Sequence, residues 1–329
     1  MSTQPVLEFS DNALVPLLFG EHNSHLTYLE KKLGLDIADR GGRLTFSGDP
    51  NAIKTAHYVL KTLWEKLENE QSVGPAEIDA ALRFFNEKDS SPVEKNAEKS
   101  ESSGKNIIKT KKKVIAPRTP NQSKYIHMLQ NREMVFGIGP AGTGKTYLAV
   151  AAGVQMFVEG KVERLVFCRP AVEAGENLGF LPGDMKEKVD PYLRPIYDAL
   201  HDTLHWDYMV KKMETGEIEI APLAFMRGRT LANAFVVLDE AQNATCGQMK
   251  MFLTRMGESS RMVITGDITQ SDLPRGVKSG LRDAQDMLEG IDEIDFMYFT
   301  NKDVVRHHLV GKIIDAYDSG ARERDTKER

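Results

Sequence analysis

Eight residues, GPAGTGKT at 139–146, combine three glycines with a lysine and a threonine at a spacing suited to holding phosphate. Gly139, Gly142 and Gly144 let the backbone N–H groups of a loop that also contains Pro140, Ala141 and Thr143 turn inward around an anion. The helix predicted to begin at Lys145 adds the partial positive charge of its N-terminus. Lys145 is placed to reach the β- and γ-phosphates of a nucleoside triphosphate, and the Thr146 hydroxyl to ligate Mg²⁺. The pattern G-x-x-x-x-G-K-[ST] is complete, and the apolar run MVFGI precedes it as a strand should.

A second stretch, VVLDEAQN at 236–243, runs three apolar residues into an Asp–Glu pair. Carboxylates at the end of a buried strand are costly unless a cation faces them. Downstream of a phosphate loop that cation is Mg²⁺, held by Asp239 through water with Lys145 beside it, and Glu240 is placed to orient and deprotonate an attacking water. A third strand, RMVITGD at 261–267, ends near Gln270, the preferred sensor of a γ-phosphate, with Asp267 as second choice. A polar residue at that end is placed to sit between the other two strands and contact the γ-phosphate.

The elements that must position these groups follow from pattern. Strands at 164–170 and 295–300 bring the parallel candidates to five, with helices between, so the expected fold is α/β: a doubly wound parallel sheet of the RecA-like P-loop kind spanning 119–318. Residues 1–85 read strand, helix, helix, strand, strand, helix, a small α+β domain. Residues 86–118 are Ser/Lys/Glu-rich and lack periodicity, as a charged linker would, and 319–329 form a charged tail. Lys109, Lys111, Lys112 and Lys113 concentrate the basic excess; a solvated tether is the plainer reading and a flexible phosphate contact the functional one.

The 329 residues carry a net charge of −5, which excludes a globally basic nucleic-acid coat protein but not a local basic site. Cys168 and Cys246, the two cysteines, fit a reducing compartment without a disulfide framework. No apolar run approaches a membrane span, and no basic start is followed by an apolar core, so a cytoplasmic protein is expected.

Two resemblances sharpen this reading. The N-terminal order and LTFSGDPNAIKTAHYVL are similar to a type I KH domain, although Gly20-Glu21-His22-Asn23 lacks the second glycine of its G-x-x-G loop. PRTPNQSKYIHML, GPAGTGKT, CRPAVEAGENLGFLPGD, RGRTL, VVLDEAQN, TGDITQSDLP and DVVRHHLV together resemble the PhoH-like ATPases, whose motor is similar to the first RecA domain of superfamily 1 helicases. The resemblance implies ATP with Mg²⁺, Gln122 as reader of the adenine edge, with Tyr125 either flanking the base or in the core, and Arg169 in the segment that contacts single-stranded nucleic acid. It makes Arg306 the candidate arginine finger, with Arg227 and Arg229 behind it; His308 stands where the family often has a proline. Since 12 residues follow Tyr317, no second motor is expected, and the finger would come from another copy in a closed homo-oligomer, a hexamer by analogy.

Two constellations are less informative. His201 and His205 are one turn apart, but no third ligand accompanies them, so a solvated helix face is the reading. Residues 183–230 look like an insertion in which Tyr192, Ile196, Leu200 and Leu204 recur at core-like spacing. Two function classes remain: an RNA-directed ATPase linked to rRNA or ribosome metabolism, or a nucleotide-controlled assembly switch that recruits a protein such as an endoribonuclease.

Overall fold

The structure, a computed structural model, describes residues 6–69, 71–90, 106–170 and 185–305. The chain divides into two compact units, 1–103 with 117–120, and 104–116 with 121–329.

The N-terminal unit has the expected order. Strand β1 (Val6–Glu8) is followed by α1 (Val15–Phe19), α2 (Ser24–Leu33), β2 (Asp36–Arg40), β3 (Arg43–Ser47) and α3 (Pro50–Glu68). The sheet is antiparallel, with β3 between β1 and β2. Asp49 caps α3 by accepting from the Asn51 and Ala52 N–H groups, and Pro50 occupies the first turn, where its missing donor is harmless. Ala56, Val59, Leu60 and Leu63 then line one face of α3 and close over Leu18, Leu29, Leu44 and Phe46. A further helix, α4 (Pro75–Ser90), was not anticipated; it packs Ile78 and Ala81 into the same core and carries helix into the stretch expected to be linker.

The second unit is built on six parallel strands. These are β6 (Met134–Ile138), β7 (Arg164–Arg169), β8 (Ile218–Pro222), β9 (Ala234–Leu238), β10 (Arg261–Gly266) and β11 (Ile294–Tyr298), in the order β11-β6-β10-β9-β7-β8. Every position of β6 and β9 is buried, which is why both read as unbroken apolar runs. Strand β10 lies between the phosphate-loop strand and the Asp239 strand. The sixth strand, β8, lies in the region taken for an insertion. Helix α7 (Met185–Thr203), also there, buries Ile196 and Leu200 in the main core, with Leu204 just beyond its end.

The lysine run departs from its reading as a tether. β4 (Ile108–Lys109) and β5 (Val114–Ile115) form a hairpin that buries Ile108 and Ile115 in the core of the second unit. Lys111 sits 3.8 Å from the Tyr208 ring centroid, and the Lys112 ammonium donates to the His201 carbonyl at 2.5 Å. Lys113 pairs with Asp202, which also accepts from the Tyr147 hydroxyl at 2.7 Å. Burial opposes ionisation of Asp202, yet the Lys113 ammonium and the Tyr147 hydroxyl hold its carboxyl below the usual range. A depressed carboxylate contributes stability above its unfolded pKa and loses it as pH falls through the folded value. Lys113→Ala should therefore lower stability by about 0.5 kcal/mol at neutral pH, as half-exposed ion pairs do. Urea unfolding of both proteins should show that difference closing below about pH 4, the ordinary carboxylate range.

Candidate functional site: a phosphate loop facing a buried carboxylate

The loop leaves β6 at Gly139, whose φ is 147°. A Cβ there would lie 2.5 Å from the Phe299 carbonyl oxygen, so glycine alone lets the chain pass. The Gly139 N–H donates to Gly266 O at 3.0 Å, fixing the start of the loop to the end of β10. Gly142 and Gly144 take φ of 82° and 84°, and α6 (Lys145–Val158) begins directly after. Inside this curve the buried Lys145 ammonium donates to Gly139 O at 2.6 Å and Pro140 O at 2.8 Å. Thr143 holds the turn through its hydroxyl on Pro140 O, and the Val305 N–H ties Gly142 O from the other side.

Across the cleft stands Asp239, 3% exposed at the end of β9. Its Oδ1 accepts from the Thr146 hydroxyl at 2.6 Å and from the Thr265 hydroxyl on β10 at 2.7 Å. Glu240 follows in a left-handed backbone conformation, φ 51° and ψ 41°, unusual for a non-glycine residue. Its two oxygens meet Arg169 Nη2 at 3.3 Å and the Gln242 amide nitrogen at 2.5 Å. Gln242 in turn accepts from the Asp267 N–H through Oε1 at 3.0 Å, joining the ends of β9 and β10. Asp267 Oδ1 accepts from Thr269, while Oδ2 is buried with no hydrogen-bond partner.

A cleft of about 660 Å³ is lined by Lys145, Thr146, Asp239, Glu240, Asp267 and Gln270, together with Tyr147, Asp198 and Asp202. A triphosphate fits this arrangement. A buried ammonium at the start of a helix suits an anion, and hard oxygens from Thr146 and Asp239 meet the preference of Mg²⁺. The orphaned Asp267 Oδ2 leaves an acceptor for a water or hydroxyl group.

The structure brings together Lys145, Thr146, Asp239, Glu240 and Gln270. Gln122 lies beneath the loop, 5% exposed, with its amide nitrogen on Thr143 O at 2.9 Å, and is not among the residues lining the cleft. Tyr125 is core, its ring edge-on to Phe299 at 5.3 Å. Arg229 is bound to Glu219 through both terminal nitrogens, at 2.7 Å each, whereas Arg227 is exposed. Arg306 lies outside the described residues, as do 171–184, which hold most of the CRPAVEAGENLGFLPGD motif. His201 stacks on Trp206, and His205 falls beyond the end of α7; no metal-binding group of three His, Cys, Asp or Glu occurs among the described residues. Cys168 and Cys246 are both free thiols. No described helix is long and apolar enough to cross a membrane.

Gln242 and Thr265 were not singled out from sequence. Their only signal is position: Gln242 stands two residues beyond Glu240, and Thr265 one pleat before the end of a buried strand.

An all-parallel sheet with the third strand inserted between a phosphate loop and an acidic strand end defines a RecA-like P-loop nucleotide-binding protein. Residues 114–318 match the PhoH-like protein family, and the chain belongs to that family. A PhoH-like protein of Bacillus subtilis (strain 168) is 50% identical over 302 residues, covering 92% of this chain and 93% of its own. One from Mycobacterium tuberculosis (strain ATCC 25618 / H37Rv) is 48% identical over 305 residues, 92% and 85% of the two chains. Protein PhoH of Escherichia coli (strain K12) is 45% identical over 205 residues, 62% of this chain and 58% of its own. A solved structure of Bacteroides Pif1 bound to single-stranded DNA aligns with 55% of this chain and 42% of its own, at 17% identity and a TM-score of 0.25, too low to carry an argument.

Proposed function

We propose that this chain is a Mg²⁺-dependent ATPase that acts on RNA in the cytoplasm, in rRNA or ribosome metabolism. The observation that carries the hydrolytic part is the pairing of a buried lysine inside the loop with a carboxylate pair at the facing strand end. Lys145 and the loop N–H groups bind the β- and γ-phosphates. Thr146 and Asp239 would hold Mg²⁺, which would supply charge neutralisation on the phosphates. Glu240 orients the attacking water and takes its proton, and Gln270 contacts the γ-phosphate. Gln122 is proposed, on the resemblance, to read the adenine edge, for which its amide would have to leave Thr143 O. Arg306 is proposed as a finger delivered by a neighbouring copy in a ring, a hexamer by analogy, with an endoribonuclease or the ribosome as partner.

The RNA part is supported by the N-terminal unit. Its element order is that of a KH-like fold, and Asn23 takes φ of 60°, so the left-handed turn persists where that fold's loop carries its second glycine. The test is steady-state ATP hydrolysis with and without single-stranded RNA, single-stranded DNA and ribosomes. RNA should raise the rate, and Glu240→Gln should lower it about 10²–10⁴-fold, the range for losing a general base. Mg²⁺-dependent hydrolysis indifferent to every nucleic acid would instead favour a nucleotide-controlled assembly switch.

A further inference from the structure

Both oxygens of the Glu240 carboxylate are engaged, although 37% of the side chain is exposed. One oxygen faces Arg169 from the end of β7 and the other faces Gln242, whose own oxygen is anchored on the Asp267 backbone. Three strand ends, β7, β9 and β10, thus hold one side chain, and its backbone carries a left-handed conformation that is strained for a non-glycine residue. An arrangement of this kind persists only where the surroundings over-determine it.

The two restraints differ in character. Gln242 is 2% exposed and fixed at both ends of its amide. Arg169 closes the pair at 3.3 Å, longer than a tight charge-assisted bond, and its side chain keeps 20% of its surface in contact with solvent. It ends the strand directly adjacent to β9, at the same end of the sheet as the phosphate loop. A guanidinium so placed can exchange a carboxylate for a phosphodiester, for which its planar fork is equally suited.

We propose that Arg169 and Gln242 hold Glu240 in a resting position, and that single-stranded RNA releases it by competing for Arg169. On this reading Gln242 is a positioning residue that defines where the carboxylate rests, and Arg169 is the removable half of the restraint. No covalent bond is made or broken in the switch; the guanidinium gives up the Glu240 carboxylate for a phosphate. The inference rests on the RNA-dependent ATPase proposed above, and it gives that enzyme a reason to idle when RNA is absent.

The experiment is ATP turnover by the full chain, with and without a poly(U) single strand, for wild type, Arg169→Ala and Arg169→Gln. The second variant keeps a stem on β7 should the first unfold, and thermal melting checks both. The expected result is an RNA-free rate raised at least threefold in both variants, a poly(U) stimulation falling towards one, and weaker poly(U) binding by fluorescence anisotropy. If wild type responds to poly(U) and the variants keep a low RNA-free rate with stimulation intact, the restraint is refuted and the RNA-dependent ATPase stands. If both rates fall together, Arg169 serves the phosphates instead, and the proposal is equally overturned. If wild type hydrolyses ATP without any response to poly(U), the RNA reading itself fails and takes the trigger with it.

Discussion

Lys145→Ala should abolish measurable nucleotide binding and lower turnover by at least 10²–10³-fold, about 2.7–4 kcal/mol, the size of effect seen when one preorganised charge-stabilising donor is removed. The reason is local. The ammonium is the buried positive charge inside the loop, and it is held by two carbonyls that a triphosphate oxygen can replace as partner. The fold should survive, because the aliphatic stem is replaced by a good helix former at the start of α6. Equilibrium binding of a fluorescent ATP analogue, with a far-ultraviolet melt as control, checks both halves. Retained binding with lost turnover would move Lys145 from holding the ground state to stabilising the transition state alone.

Gly139→Ala is the second large effect, and it acts on the fold first. The substituent would sit 2.5 Å from the Phe299 carbonyl oxygen and 2.7 Å from its Cβ, at a φ of 147° that L-residues rarely adopt. Neither neighbour can yield cheaply, since Phe299 follows β11 and its N–H donates to Ile138 O at 2.7 Å. A loss of about 2–4 kcal/mol is expected, combining overpacking with backbone strain. Nucleotide affinity should fall as well, because the Gly139 carbonyl and N–H set the position of Lys145 and of the end of β10. Chemical denaturation of the variant with and without saturating ATP separates the two losses: ligand linkage should recover stability in wild type and little of it in Gly139→Ala.

The centre of the site was legible in the chain because it is written locally. A strand, a glycine turn and a helix start lie within 134–146, and apolar runs ending in acids mark β9 and β10. The sheet places β10 between β6 and β9, so its polar end does stand between the loop strand and the Asp239 strand. The hairpin at 108–115 was not legible. Ile108 and Ile115 are both fully or nearly buried, yet they stand among lysines whose partners, Asp202 and Tyr208, lie far along the chain. Edge strand β8 was missed for a related reason, since IEIAP is short and follows two amphipathic helices that read as inserted. Side-chain direction was beyond reach altogether. Nothing in DEAQ says that Glu240 turns to Arg169, or that Gln242 bridges to Asp267. The adenine role given to Gln122 came from resemblance, whereas the geometry shows it bracing Thr143.

The placement of β6 has a consequence for the protein's synthesis. Its two neighbours in the sheet are β10 and β11, both made long after it. While a ribosome is extending the chain, the phosphate loop therefore emerges on a strand with neither side paired, and Gly139 meets neither Gly266 nor Phe299 until those residues leave the exit tunnel. Contacts so distant in sequence form late. A nascent chain thus carries the whole glycine–lysine signature before the strands that fix its loop have been made.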